Sequence, residues 1–109
     1  MIRSAAFLLL ALIACATPEA PADLLPRDRF KHLLLEAQLI EARVNHERIV
    51  EQRMDSPVEA YYDTLFSREG VTREQFDRTY TYYTQHPGEL KAVLEEVLNE
   101  LGQRKDSLR

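Results

Sequence analysis

Apolar residues recur every three or four positions from Leu25 to Leu101, and no stretch alternates with the period of two that a half-buried strand requires. The first periodic segment sets Phe30, Leu33, Leu34, Ala37, Ile40 and Val44 in one stripe. It predicts a helix from about Pro26 to Met54, with the proline in the first turn, where its missing N–H removes no intrahelical bond. The second half of that helix is weaker. "NHERIVEQR", residues 45–53, has Ile49 and Val50 as its only apolar residues, so this end is expected to project beyond the core or to meet another molecule.

Three shorter patterns follow. In "SPVEAYYDTLFSREG", residues 56–70, Ser56 is the expected N-cap, Pro57 suits the first helical position and Glu59 completes a capping box. Val58, Tyr61, Tyr62, Leu65 and Phe66 form its stripe, and Gly70 stops it, since glycine takes a left-handed backbone without a Cβ clash. In residues 71–87 Thr72 caps, Gln75 answers three residues later, and Phe76, Tyr80 and Tyr83 share a face. Pro87 holds His86 extended, ends that helix and opens the next, whose stripe is Leu90, Val93, Leu94, Val97, Leu98 and Leu101. Glu89 in its first turn and Arg104 and Lys105 in its last suit the helix dipole.

The fold class predicted is therefore all-α: a small four-helix domain over residues 25–107. Its connections are short, favouring antiparallel neighbours, and the two central helices are expected to form a compact hairpin between longer partners. Any stripe that so small a domain leaves unburied becomes a partner surface, and the long first helix is the expected carrier.

The chain ahead of this domain has a different character. Met1–Ser4 carries a positive charge at Arg3, and Ala5–Ala14 is uninterrupted apolar or small. Ten such residues match the h-region of a signal peptide and fall well short of the roughly 20 that a membrane span needs. Leu12-Ile13-Ala14-Cys15 fits a bacterial lipobox: a branched apolar residue, a tolerant position, a small residue for the peptidase, and the cysteine whose thiol takes a diacylglyceryl group. A free thiol after an ordinary signal peptide and a buried apolar helix of a cytosolic protein are the competing readings. The place next to the N-terminus, the Arg3 charge and the small Ala14 speak against both. Residues 1–14 are thus expected to be a cleaved lipoprotein signal peptide and Cys15 the lipid attachment site, with acyl chains holding the protein on a membrane. Residues 15–24, with prolines at 18 and 21 and small apolar side chains, are expected to be a short Pro/Ala tether. Extended near polyproline II at roughly 3.1 Å per residue, its residues 16–23 reach about 25 Å.

Loss of residues 1–14 takes Arg3 with it and leaves 13 basic against 18 acidic side chains, a formal charge of −5. That balance argues against nucleic acid as a partner. With the chain's one cysteine lipidated no disulfide is available, and packing must supply the stability.

Candidates for chemistry are few. His32 and Glu36 stand four apart, so one helix face presents a nitrogen and a carboxylate, but a metal site needs three or four ligands and no second pair with ligand spacing is nearby; a solvated face is the plainer reading. Glu95, Glu96 and Glu100 lie among Lys91, Arg104 and Lys105 on a polar side and read as a solvated face rather than an acid–base pair. His86 before Pro87 reads as a turn residue rather than a base. The three glycines form no phosphate-cradling loop. No catalytic residue, metal, cofactor or small-molecule substrate is predicted. The five tyrosines, Tyr61, Tyr62, Tyr80, Tyr82 and Tyr83, suit either a core edge or a recognition surface, and Tyr62 and Tyr82 are expected to be the exposed ones and thus a possible protein-binding surface.

Tyr61-Tyr62 before a short helix, Gly70-Val71-Thr72 with Glu74 and Phe76, Tyr82-Tyr83 with His86-Pro87, an amphipathic last helix and an early Leu25-Pro26 together give the chain a likeness over residues 24–101. In these features it resembles a family of Bacteroidota envelope lipoproteins catalogued as domain of unknown function 4296. The resemblance implies an envelope location and a helical fold, and it carries over no catalytic residue. The expected protein is a non-enzymatic accessory lipoprotein of the bacterial cell envelope, at the periplasmic face of the outer membrane. The lipid on Cys15 holds it to the membrane, and its helical module docks on another envelope protein. The alternative is a periplasmic chaperone-like binder of unfolded envelope proteins with a tyrosine-lined groove.

Overall fold

The computed structural model describes residues 23–107. The signal peptide at 1–14, Cys15 and the tether as far as residue 22 lie outside the described residues. Four helices and no strand make up the described part: α1 (Arg27–Ile49), α2 (Val58–Glu69), α3 (Arg73–Thr84) and α4 (Pro87–Ser107).

α1 is the axis of the fold. Near its start Leu33, Leu34 and Leu35 are all buried, which a single stripe does not allow. The reason is that α1 is flanked on several sides there. Arg27 pairs with Glu96 of α4, and Lys31 lies beside Glu96, Asn99 and Gln103, so α1 and α4 run in the same direction. α2 runs antiparallel to α1: Tyr61 meets Glu47 at one end and Glu69 meets His32 at the other. α3 crosses the base, where Phe30, fully buried, stacks on Tyr83 at 4.4 Å and meets Phe76 at 5.9 Å. Val93 and Val97 of α4 and Leu65, Phe66 and Val71 complete this apolar core.

The broad backbone contacts are α1 with α4, α1 with α2 and α3 with α4. The central helices are therefore not the hairpin expected: α2 packs along α1 and α3 along α4, and the two meet through the Phe66 and Phe76 rings at 5.3 Å. The turn between them explains this. Gly70 takes φ 67°, ψ 34°, Val71 turns inward and is buried, and Thr72 is extended at ψ 154°.

The helix ends follow the sequence in part. Thr72 Oγ1 accepts the Gln75 N–H at 3.0 Å, as a cap should, and Pro87 opens α4. The Gln75 side chain does not close a capping box but reaches Asp23 O at 2.9 Å. Ser56 is not the cap of α2: Pro57 holds that position without a side-chain bond, while Ser56 Oγ bonds Arg53 O. α1 stops at Ile49, short of Met54. His46 O there accepts both the Val50 and Glu51 N–H groups, Glu47 O accepts the Arg53 N–H, and Gln52 takes φ 55°. Leu98, at the edge of the α4 stripe, is 64% exposed.

The chain is docked before α1 begins. Asp23 pairs with Arg78, Asp23 O accepts from Gln75, and the Leu25 N–H donates to Thr79 Oγ1 at 3.1 Å, with Leu25 buried. Thr79 is itself fully buried and donates to Gln75 O at 2.8 Å. Asp23, a residue of the expected tether, is thus held against α3.

Candidate interaction surface

Two tyrosines expected to be exposed are half-buried. Tyr62 packs on Phe66 and its hydroxyl donates to Glu41; burial, helped by that bond, pushes its hydroxyl well up. Tyr82 stacks on His86 at 4.2 Å and meets Tyr83 edge-on. The stacked His86 donates Nδ1–H to Tyr82 O at 2.8 Å and serves the turn. Both tyrosine rings rest against the main core, and the ring contacts of one do not reach the other. Tyr80 is the exposed ring, 42% accessible, because Thr79 takes the inward place on α3.

The titratable pairs are structural contacts. The His32 Nε2–H donates to Glu69 Oε1 at 3.0 Å, holding that carboxyl below its ordinary value, and Glu36 faces Arg68 at 3.5 Å. Glu95 lies 4.0 Å from Lys91 and Glu100 lies 4.0 Å from Arg104, each four residues apart, while Glu96 is held low by Arg27. Such surface pairs are screened by water and salt and contribute little to stability. Among the described residues no group of three or more histidine, cysteine or acidic side chains is placed to hold a metal, and no helix is long and apolar enough to cross a membrane.

What the sequence did not single out lies at the distal end of α1. Glu47 is buried, a carboxylate in the seam between α1 and α2. Its Oε1 accepts the Tyr61 hydroxyl at 2.6 Å and the Arg43 Nε–H at 3.0 Å, while its Oε2 has no partner among the described residues. The Tyr61 hydroxyl first, with Ser56 and Arg43, holds Glu47 below its ordinary value against the opposing cost of burial. The same bond pushes the Tyr61 hydroxyl up. The Arg43 guanidinium lies over the Tyr61 ring at 4.1 Å. Beside this network runs a surface groove of about 360 Å³ floored by Leu39, Ile40, Tyr61 and Leu65, with Arg43 near one end and Glu36 and Arg68 at the other.

Past the groove the apolar side chains turn outward. Ile49 is 69% exposed, Val50 66% and Met54 76%. Leu39, Arg43, His46 and Val50 are spaced by four, three and four, so they share one face of α1, a strip leading from the groove to the tip. The signal for it was present in the sequence: Leu39 and Val50 are apolar residues outside the buried stripe. At about 1.5 Å per residue, the tip stands roughly 35 Å along α1 from the end where the chain enters.

The sequence profile of one family, described as Domain of unknown function (DUF4296), matches residues 21–107. No curated protein and no solved structure matches the chain.

Proposed function

The chain belongs to this family of unknown function, and we propose that it is a lipid-anchored, non-enzymatic accessory protein of the bacterial cell envelope whose helical domain binds another envelope protein. The observation that carries this reading is the exposed apolar tip of Ile49, Val50 and Met54, which stands beyond the groove between α1 and α2. A small acidic domain gains nothing in solution from leaving such a surface uncovered. The segment Leu12-Ile13-Ala14-Cys15 supports lipid attachment at Cys15, and Arg3 with the apolar run before it supports export. The docking of Asp23 and Leu25 on α3 supports an orientation with the base of the domain toward the bilayer and the tip away from it. No acid run directly follows Cys15, which favours the periplasmic face of the outer membrane over the cell surface.

A photo-crosslinking residue at Val50, expressed in cells of a native host, tests the docking. A discrete adduct is expected at Val50 and not at Lys91, which is exposed on α4. Recovery of the bait alone at both positions counts against a protein partner. Metabolic labelling with a clickable fatty acid tests the anchor: incorporation should vanish in Cys15→Ser, and that variant should leave the membrane fraction.

A further inference from the structure

The groove between α1 and α2 presents the exposed guanidinium groups of Arg43 and Arg68, while the glutamates paired with them, Glu47, Glu36 and Glu69, are largely covered. We propose that it takes an amphipathic helical segment of the partner, one whose apolar face is flanked by carboxylates. This deepens the docking reading above and rests on it.

The floor is apolar, with Leu39 exposed, Ile40 half-buried and the buried Leu65 beneath them, and no residue of α3 or α4 lines it. Its length is that of about two turns of α1, which suits a helix laid against two others with anchors at three- and four-residue spacing. The ends set the specificity. The Arg43 side chain is 65% exposed and bonds Glu47 through Nε alone, so its outer nitrogens have no partner among the described residues. Arg68 is 58% exposed and meets Glu36 and Glu69 only at 3.5 Å. Arg43 is held in place from behind by the Tyr61 ring and the buried Glu47, so it loses little freedom on meeting a carboxylate. An arginine fork offered to a carboxylate in this way gives direction as well as attraction. The exposed cations stand on a chain of net charge −4, so attraction for an acidic segment comes from short-range contact with them and not from the field of the whole domain.

A second copy of the chain fits less well. A two-fold contact through the groove would set basic ends against basic ends. A basic segment fits less well too, since Glu47 is buried in the seam and Glu36, largely covered, is already engaged by Arg68.

The test is an NMR titration of the full chain in detergent micelles with two model peptides. Both carry the same leucine face at i, i+3, i+4 and i+7; one is flanked by glutamate, the other by lysine. The glutamate peptide should shift the amides of Leu39, Thr64 and Arg68, and its binding should weaken with added salt. Arg43→Gln with Arg68→Gln should weaken it by roughly tenfold. Arg68→Gln alone, at an exposed site that leaves the buried network intact, should weaken it by less. Equal binding of the two peptides, binding of the lysine peptide only, or no shift with either would overturn the proposal. So would groove shifts that grow with protein concentration, which mark self-association, or that need anionic vesicles, which mark a lipid surface. A Val50 adduct whose contacting segment is basic or neutral would overturn this proposal and leave the docking reading standing.

Discussion

Near its start the first helix has neighbours on several sides; beyond about Ile40, α1 has α2 as its principal neighbour. The start is held by Phe30, Leu33, Leu35, Val93 and Val97, each almost wholly shielded from water. The distal arm holds Val44 and a carboxylate, with Tyr61 and Arg43 closing round it. The difference is one of kind. Apolar burial tolerates small displacements, because each contact is weak and there are many. A buried carboxylate depends on a few donors in fixed positions, and each lost donor leaves charge without compensation. The arm is thus the more conditional part of the molecule, and it carries the exposed surface.

Several measurements would break or sharpen this contrast. Phe30→Ala should have the largest effect, about 3–5 kcal/mol in urea unfolding, since it empties the space where α1, α3 and Tyr83 meet. Glu47→Gln should cost less and act locally. Hydrogen exchange should quicken from Val44 to Tyr61 and stay unchanged at Val93 and Val97. A uniform change over all four helices would show that arm and body form a single cooperative unit.

The same residue, with three other carboxyl groups, gives the pH dependence. Glu47, Glu69 and Glu96 are held below their ordinary value of 4.5 and Asp23 below 3.8. Groups lowered in this way stabilise the folded state fully above those ordinary values, and the contribution is lost as pH falls through the lowered ones. Stability should therefore be flat near neutrality and decline below about pH 4.5, and Glu47→Gln should reduce the slope. Thr72→Ala should cost about 1 kcal/mol by removing the α3 cap. Ile49→Ser should change stability by no more than about 0.5 kcal/mol, being already exposed, yet should weaken the adduct formed by the photo-crosslinking residue at position 50.

The existence of four helices was legible because the three-and-four spacing is strong in each, and glycine and proline punctuate two of the breaks. Gly70, Thr72 and Pro87 act as the sequence suggested. Leu35 was not legible as core, since stripe reasoning assumes one wet face and the start of α1 has neighbours on several sides. Thr79 was passed over for Tyr80 because its value lies in a hydroxyl that serves the incoming chain, which no hydrophobic pattern registers. Glu47 looked like one more surface acid; only the approach of Tyr61, fourteen residues on, shows otherwise. The groove combines residues of two helices, and its existence depends on their separation, which composition and spacing do not encode.

The attachment of Asp23 and Leu25 to α3 has a mechanical consequence. A pull on the chain from the N-terminal side meets the Arg78 ion pair, the Gln75 amide and the Thr79 hydroxyl before any force reaches the first turn of α1. These contacts share the load over neighbouring turns of one helix instead of yielding one after another from a frayed end. Such a force would therefore be borne by the flank of the domain, and the long helix would keep its registry while it lasts.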